Sequence, residues 1–389
     1  MMPTRPDVPR RRLLTALAAS GLLAACGTAP DPAQRVRERQ RQQAGQLQRA
    51  GYRGDEPPRA LAEQHLTLRP DGEPLELLLL QPQGGAALPW VLYLPGLGEG
   101  PEGGAVWRRA WAQAGHAVLS VQALTEDEQA WRSELARAAE FARLGRERHA
   151  PAVLAQRLAR LKALLATLHG PAGVGHGVLA GLRRGGHALA GFDLGASTAW
   201  ALANETDVPA PASLVLLSPS LAEAQRQEPA WRWPRQPLLL AAGSLDQDPM
   251  EWAQPAARLP DWFAAAPRPG QHLLMLDGAR HAQLSGSLPL AGLQTARSTL
   301  PMATPESGVG RGRSGRGAGG TQEGNPRRLP SAARLPVAET YGTESYQTAL
   351  RACSLALLDA ELRGQAAARD WLAREAPGWL GAMGELRGG

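Results

Sequence analysis

Three side chains whose types and order could perform acid–base or nucleophilic chemistry stand far apart in the sequence. Asp193 lies between Gly191 and Gly195, at what reads as the tip of a sharp turn. Asp246 and His281 each follow a later apolar run. An acid that hydrogen-bonds one imidazole nitrogen fixes the tautomer and stabilises the imidazolium, so the other nitrogen can serve a nucleophile or a water. These three residues are therefore the candidate catalytic residues.

The turn at Asp193 is predicted to join a strand to a helix. An apolar run of strand length, residues 187–190, precedes the turn, and a helix-like segment follows it through Trp200 and Leu202. A glycine two residues before the tip and another two residues after it let the two backbones approach more closely than a Cβ would allow. The tip residue itself is expected to be held in a strained conformation.

Apolar runs of strand length recur along the sequence and alternate with helix-like segments. Strands are predicted at residues 75–80, 90–94, 117–121, 213–217, 238–242 and 273–276, with a hairpin turn at 70–72. The alternation predicts an α/β fold, a mainly parallel sheet with helices on both faces. The leucines of residues 154–168 form one apolar helical stripe, which we interpret as core packing. The charged segment 126–148 is expected to be helical and could cover the site.

The candidate residues occur in the order tip residue, acid, histidine, which is the order of α/β-hydrolases. The turn Gly-Phe-Asp-Leu-Gly resembles their nucleophile elbow, G-x-nucleophile-x-G, with Asp193 where most members carry Ser. The loop after residues 238–242 resembles the one that carries the acid, with Asp246 the better match and Asp248 the second. The segment Asp-Gly-Ala-Arg-His ending at His281 resembles the histidine loop.

The resemblance covers about residues 75–372 and is closest to compact esterases of the dienelactone hydrolase and platelet-activating-factor acetylhydrolase type. It implies an α/β-hydrolase fold with little or no cap domain. It also implies an oxyanion hole made by the N–H that follows the nucleophile and one from the loop after the first central strand. Here these donors would belong to Leu194 and to Leu97 or Gly98.

A competing motif overlaps the oxyanion loop. Residues 98–103 spell G-x-G-x-x-G after a predicted strand, which is the pattern of a dinucleotide-binding turn. The two glutamates of this segment would repel a pyrophosphate, Pro101 disturbs the turn, and no acid ends the following strand. We therefore expect no cofactor at this loop.

The aspartate at the elbow leaves three interpretations open. As a nucleophile, Asp193 would displace a leaving group from a saturated carbon, and His281 would activate the water that hydrolyses the resulting ester. Haloalkane dehalogenases and epoxide hydrolases carry Asp at this elbow, although Trp follows it in those families and Leu194 follows it here. Alternatively Asp193 or His281 activates water toward an ester or lactone directly, or a nearby hydroxyl substitutes. Ser197 and Ser218 are the candidates for that hydroxyl.

The third interpretation is a pseudo-enzyme that keeps the fold and binds a ligand or partner. Asp tolerates unusual backbone conformations better than most residues, so Asp193 could hold the turn without performing chemistry. We expect a hydrolase of small ester- or lactone-type substrates that acts through the triad-like site of Asp193, His281 and Asp246. The inactive, surface-binding protein is the alternative.

The N-terminus reads as an export signal. Residues 10–12 are three arginines, and the apolar stretch of residues 13–22 is too short to span a bilayer. Residues 23–26, Leu-Ala-Ala-Cys, resemble a bacterial lipobox, which implies cleavage before Cys26 and diacylation of its sulfur. Gly27, where a retention signal would have Asp, implies transfer beyond the inner membrane. We expect a periplasm-facing protein of the cell envelope, held in the outer membrane by the lipid anchor.

Composition bounds the remaining possibilities. Of the 389 residues, 43% are hydrophobic, which indicates a globular protein. The net charge of +6 comes almost wholly from arginine, because Lys162 is the only lysine. Cys26 and Cys353 have no metal-like spacing, so we expect no metal site.

The sequence divides into three parts and one insertion. These are a signal peptide at 1–25, a polar tether at 26–61 and a hydrolase domain at 62–389, with a disordered Gly/Arg-rich insertion at 304–330. The tether is read as a plain spacer with some helix around residues 36–47. The insertion resembles an RGG nucleic-acid segment, but low-complexity sequence of this kind is more often a surface insertion. We expect no nucleic-acid partner.

Overall fold

The structure, a computed structural model, describes residues 32–54, 57–221, 232–247, 250, 255–265, 268–287 and 341–388. Its strands are β1 (Leu61–Leu68), β2 (Leu75–Pro82), β3 (Leu88–Leu94), β4 (Ala117–Val121), β5 (Leu182–Phe192), β6 (Ser213–Leu217), β7 (Leu238–Gly243), β8 (Gln271–Leu276) and β9 (Gly384–Gly388). The α-helices are α1 (Pro32–Ala50), α2 (Ala105–Gln113), α3 (Thr125–Glu128), α4 (Glu134–Arg137), α5 (Phe141–Arg148), α6 (Pro151–His169), α7 (Leu194–Leu202), α8 (Pro255–Ala265), α9 (His281–Leu284), α10 (Thr343–Leu362), α11 (Ala366–Asp370) and α12 (Ala376–Leu380). A π-helical turn, Trp371–Glu375, joins α11 to α12, and 3₁₀ turns lie at Ala130–Arg132, Gly177–Leu179 and Gly381–Met383.

The strands of the described residues form one mixed sheet in the order β1-β2-β4-β3-β5-β6-β7-β8-β9. The pairs from β4 and β3 through β7 and β8 are parallel, whereas β1 with β2, β2 with β4 and β8 with β9 are antiparallel. The mainly parallel sheet and the hairpin at residues 70–72 are confirmed. The edge strand β9 has no counterpart among the predicted strands.

Helices cover both faces of the sheet, as predicted. Helices α6, α7 and α8 pack on one face, where the leucine stripe of residues 154–168 is buried against the strands. Helices α2, α10 and α12 pack on the other face, where Trp107 and Trp111 are fully buried. Parallel strands covered in this way are apolar on both sides, which explains their continuous hydrophobic runs. Each large side chain buried here stabilises the fold by about 1.5–3 kcal/mol.

The loops at the carboxyl ends of β5 to β8 lie at one edge of the sheet, and one insertion approaches them. Residues 122–150, which carry α3, α4 and α5, lie between β4 and α6. Between β6 and β7, the residues that the structure describes contain no helix. The charged segment 126–148 makes up most of this insertion and contacts the loop after β3, where the indole Nε1 of Trp131 donates to the carbonyl oxygen of Leu97.

Part of the predicted tether packs on the domain. Helix α1 lies against α10, and the indole Nε1 of Trp379 donates a hydrogen bond to the carbonyl oxygen of Leu47 at 3.2 Å. The hydroxyl of Tyr52 donates to Asp359 Oδ2 at 2.9 Å. The interpretation as a plain spacer does not hold for residues 32–54, because Ala44 is buried and Leu47 and Tyr52 pack against the domain.

The acceptor of the Tyr52 hydrogen bond is a fully buried acid. Asp359 Oδ1 lies 2.8 Å from His116 Nε2 and 3.1 Å from Arg363 Nη1. Burial lowers the pKa of His116, while the contact with Asp359 acts in the opposite direction. A buried carboxylate needs such partners, because an unpaired charge away from water is costly. The N-terminal segment thus closes a polar cluster that the domain already contains.

Several sequence predictions fall outside the described residues. They are the signal peptide of residues 1–25, the lipidated Cys26, the second acid Asp248 and the insertion at 304–330. Among the helices that the structure describes, none has both the length and the apolar character needed to cross a bilayer.

Replacing Tyr52 with Phe tests whether the N-terminal segment contributes to the fold. The substitution keeps the ring but removes the donor to a buried carboxylate, so the free energy of unfolding should fall by about 2 kcal/mol. Urea denaturation followed by tryptophan fluorescence measures this change. Arg53→Gln, at the exposed neighbouring position, should leave the midpoint unchanged. Equal midpoints for both variants would contradict the proposed contribution.

Candidate active site

The predicted turn at Asp193 is present between β5 and α7. Asp193 has φ +52° and ψ −119°, a conformation that costs energy for a residue with a Cβ. Its N–H donates to the carbonyl oxygen of Leu217 at 2.9 Å, and its carbonyl accepts from the N–H of Ser197 at 3.0 Å. The Ser197 hydroxyl donates to the carbonyl of Ser220 at 2.9 Å. The Ser197 hydroxyl is therefore engaged with backbone carbonyl oxygens at this turn and in the segment after β6.

The two glycines of the turn lie where no side chain fits. A Cβ on Gly195 would collide with the carbonyl oxygens of Leu94 and Pro95 at the end of β3. A Cβ on Gly191 would meet the backbone of Gly195 at 2.5 Å. The backbones of the strand and the helix are thus in direct contact. This contact explains why a glycine stands two residues before Asp193 and another two residues after it, as the sequence predicted.

The acid and the histidine reach the turn from the next two loops. Asp246 follows β7, and His281 opens α9 after β8. Their side chains join through His281 Nδ1 and Asp246 Oδ1 at 2.9 Å. His281 Nε2 lies 4.0 Å from Asp193 Oδ1, which is beyond hydrogen-bond distance. The structure therefore brings the three sequence-predicted residues together in the order carboxylate, imidazole, carboxylate.

Two serines that follow β6 complete this arrangement. Ser218 donates its hydroxyl hydrogen to Asp246 Oδ2 at 2.5 Å and lies 2.9 Å from His281 Nδ1. Ser220 donates to Asp193 Oδ1. Sequence reasoning considered Ser218 only as a substitute nucleophile and missed Ser220. The signal that could have found both is their position, directly after the strand that neighbours the elbow strand.

The oxyanion loop lies against the elbow, but its donors are engaged. The N–H of Leu97 donates to Asp193 Oδ2 at 3.3 Å. The N–H of Gly98 donates to the carbonyl oxygen of Asp127 at 2.7 Å. Leu194 begins α7, where the first N–H groups of a helix have no intrahelical acceptor. The loop donor nearest the chemistry is thus held by the elbow carboxylate itself.

A glutamate of the same loop holds it in place. Glu99 Oε2 accepts from the N–H of Gly96 at 3.1 Å, and Oε1 accepts from the hydroxyl of Ser287 at 2.5 Å. Burial raises the pKa of Glu99, and the nearby negative charge of Asp193 raises it further. Glu99, inside the G-x-G-x-x-G segment of residues 98–103, is thus a buried acid that closes the loop back onto Gly96.

The insertion between β4 and α6 forms a roof over the oxyanion loop. The indole Nε1 of Trp131 donates to the carbonyl oxygen of Leu97 at 2.9 Å. Apolar side chains of the roof, the loop and the elbow pack into a small cluster of their own. Its fully buried members are Leu97, Ala130, Leu144, Leu194 and Met250.

A buried ion cluster fixes this roof. Asp127 Oδ1 lies 2.8 Å from Arg148 Nε, and Asp127 Oδ2 lies 2.5 Å from Arg157 Nε. The next residue along from Arg148, His149, is buried, and burial lowers its pKa to about 4 although the charge of Asp193 acts in the opposite direction. Because Asp127 also accepts the N–H of Gly98, the roof and the oxyanion loop are positioned as one unit.

The site can hold and transfer protons. Asp193 and Asp246 are only 4% and 2% exposed, so their interactions with His281 are weakly screened by water. Within the described ranges, no three or more acidic, histidine or cysteine side chains are grouped to hold a metal ion. The side chains that meet at this site are carboxylates, an imidazole and hydroxyls.

No protein-family model matches the chain, and no curated protein matches it significantly. Among solved structures, it is similar to the dienelactone hydrolase of Anabaena variabilis, at 19% identity and a TM-score of 0.40 over 61% of this chain and 94% of that one. The strand order and the elbow of this chain give it the α/β-hydrolase fold, as predicted.

Substituting Gly195 with Ala tests the close approach at the elbow. The new methyl group would overlap two carbonyl oxygens, so we expect the free energy of unfolding to fall by about 3 kcal/mol or more. The matched control is Gly378→Ala, because a Cβ at that position meets no atom within 4 Å. Thermal unfolding of both variants measures the difference. Wild-type stability in Gly195→Ala would show that the backbones can separate at no cost.

Proposed function

We propose that this protein is a hydrolase of small ester- or lactone-type substrates and that Asp193 is its nucleophile. One observation carries the proposal. The Asp193 carboxylate has one oxygen on the oxyanion-loop N–H of Leu97, while its other oxygen lies 4.0 Å from a histidine that Asp246 orients. A buried carboxylate needs a donor such as the N–H of Leu97 whatever its role, so it is the oriented histidine 4.0 Å from Oδ1 that favours a chemical role.

In the first step, Asp193 Oδ1 attacks the electrophilic carbon of the substrate. The bond from this carbon to its leaving oxygen breaks, and the leaving oxygen takes a proton from Nε2 of the His281 imidazolium. Asp246 and Ser218 hold the ring in the required orientation through Nδ1. The products of this step are a covalent ester or anhydride on Asp193 and a neutral imidazole.

In the second step, His281 Nε2 takes a proton from water, and the resulting hydroxide attacks Cγ of Asp193. Negative charge then develops on the carboxyl oxygen that faces the N–H of Leu97, a donor already in place. Collapse releases the substrate fragment and restores the carboxylate and the imidazolium. In this route the oxyanion forms on Oδ2 of Asp193 itself, and the N–H of Leu97 already donates to that atom.

A direct route through water is the second candidate. The 4.0 Å distance between His281 Nε2 and Asp193 Oδ1 favours it. A water about 2.8 Å from both His281 Nε2 and Asp193 Oδ1 would make an angle of about 90° between them, which suits a molecule that donates to both. This water could attack a substrate carbonyl without a covalent intermediate. The engaged N–H groups of Leu97 and Gly98 count against this route, because they would have to change partners to stabilise the substrate oxyanion.

Isotope labelling separates the two routes. If Asp193 is the nucleophile, many turnovers in ¹⁸O-water should place ¹⁸O in its carboxylate, which peptide mass spectrometry detects. The variant His281→Ala lacks both the acid of the first step and the base of the second. With substrates whose leaving group needs no proton, the p-nitrophenyl esters and haloalkanes, it should form the covalent adduct and hydrolyse it slowly, so intact mass should increase by that of the bound fragment. The screening panel contains p-nitrophenyl esters, lactones, epoxides and haloalkanes.

Controls assign the roles of the acids. Asp193→Asn should give neither turnover nor adduct. Asp246→Asn should lower turnover by up to about 10⁴-fold, because the histidine loses the partner that fixes its tautomer. Asp248→Asn is the matched control and should retain activity. Turnover without label or adduct would favour the water route, and no turnover on the whole panel would favour the inactive, ligand-binding alternative.

We also propose that the protein is exported and anchored by a lipid on Cys26, on the periplasmic side of the outer membrane. The support is the sequence of residues 10–27, with its basic, apolar and Leu-Ala-Ala-Cys-Gly segments. Labelling cells with a radioactive fatty acid should mark the wild-type protein and leave Cys26→Ser unmarked. Equal labelling of the two, or labelling of neither, would contradict the anchor.

A further inference from the structure

Helix α1 and the turn after it carry an unusual charge. Six arginines lie within residues 32–54 against one acid, Glu38. The side chains of all six are exposed. We call this group the α1 arginine surface; its members are Arg35, Arg37, Arg39, Arg41, Arg49 and Arg53.

The arginines of this surface differ in their surroundings from the arginines that the domain pairs with buried acids. Arg148, Arg157 and Arg363 all pair with buried carboxylates. Among the described residues, the members of the α1 arginine surface make no ion pair. The neighbouring helix α10 adds only one exposed acid near its start, Glu344. The surface therefore presents a net positive charge to whatever lies against it.

The domain holds this surface in a fixed position. Ala44 is buried, Leu47 and Tyr52 pack against the core beside α10, and Trp379 and Asp359 bind them through hydrogen bonds. The arginines thus stand on a helix that cannot turn independently of the domain.

Residues four apart lie side by side on an α-helix, so Arg35 adjoins Arg39 and Arg37 adjoins Arg41 in two rows along the exposed side. A partner that lies along one row meets two guanidinium groups without ordering a flexible segment first.

The predicted anchor limits how far this surface can lie from the membrane. Five residues, 27–31, separate Cys26 from the start of α1. Fully extended, the six steps from Cys26 to Pro32 span at most about 22 Å. If Cys26 carries a lipid in the bilayer, α1 begins within about 22 Å of the headgroups, and its first arginine, Arg35, follows in the first turn of the helix.

We propose that the α1 arginine surface binds the anionic phospholipid headgroups of the membrane that holds the anchor. Guanidinium groups match phosphate oxygens with paired hydrogen bonds, and basic segments next to an anchor are attracted to anionic leaflets. The proposal rests on the proposed export and lipidation, because export separates this surface from nucleic acid, the other common polyphosphate.

Vesicle binding tests the surface separately from the anchor. The full chain with Cys26→Ser is mixed with vesicles of phosphatidylcholine alone and with vesicles in which about a quarter of the lipid is phosphatidylglycerol. The apolar leader contributes to both vesicle types, so the gain on anionic vesicles reports the charge interaction. We expect this gain to be at least tenfold in the partition coefficient, and to disappear when the salt concentration shortens the Debye length to about 3 Å.

Two quadruple variants of the same chain distinguish the surface from net charge. One carries Arg→Gln at positions 35, 37, 39 and 41. The other carries the same change at the exposed Arg137, Arg143, Arg374 and Arg387 on other elements. In the first variant, the ratio of the partition coefficients on anionic and neutral vesicles should fall at least tenfold. The largest possible fall is about fivefold for each arginine removed. The second should keep most of it.

Three outcomes would overturn the proposal. The first is equal binding to both vesicle types, and the second is equal loss in the two quadruple variants. The third is loss of binding to a single-stranded oligonucleotide in the 35–41 variant without loss of binding to anionic vesicles. Fatty-acid labelling of Cys26 is read independently, so failure of the anchor and failure of the surface are distinguishable.

Discussion

The turn between β5 and α7 packs against the end of β3 at backbone distance, and the candidate site depends on that contact. Gly195 fits there only because it has no Cβ to meet the carbonyl oxygens of Leu94 and Pro95. The chain continues from Pro95 directly into the oxyanion loop. The contact that bends the elbow therefore also brings the N–H of Leu97 to the carboxylate of Asp193. The bend at the elbow and the hydrogen bond to the Asp193 carboxylate thus have the same cause.

The parallel sheet supplies the other partners. Strands β5, β6, β7 and β8 are neighbours, and their carboxyl ends meet at one edge. Ser218, Asp246 and His281 follow three of these strands in turn, so their side chains converge although the residues are far apart in sequence. The roof adds the buried Asp127, which grips the oxyanion loop from the opposite side. A carboxylate at the elbow is thus surrounded by groups that orient it.

The sequence was sufficient for the features that depend on local patterns. Strand positions followed from apolar runs, and the elbow followed from Gly191 and Gly195, because backbone approach leaves glycine as the only residue that fits. The chain order of Asp193, Asp246 and His281 then placed the site. These patterns were readable because the fold itself requires apolar residues in its buried strands and glycines at its elbow.

Features that depend on contacts between distant segments were not predictable in this way. Ser220 meets Asp193 only because two adjacent strands end together, and serine is too common to single out. Gly98 was expected to be a free donor, but a residue of the roof accepts its N–H. No strong apolar stripe predicts the packing of α1, since Leu47 is almost alone on a polar helix and Tyr52 follows the helix end. The pairing of β9 with β8 also joins segments far apart in the chain.

The aromatic packing around α1 has a practical consequence for any shortened version of the protein. The ring of Tyr52 lies 5.6 Å from that of Trp371, which lies 5.3 Å from Trp379, and Gly51 packs against Trp379. A chain trimmed to begin at residue 62, the boundary that the sequence suggests, would leave both indoles facing water beside one another. Such a truncation would expose an apolar patch that favours association between molecules. If it aggregated during purification, the cause would be the missing N-terminal segment and not an unstable hydrolase core.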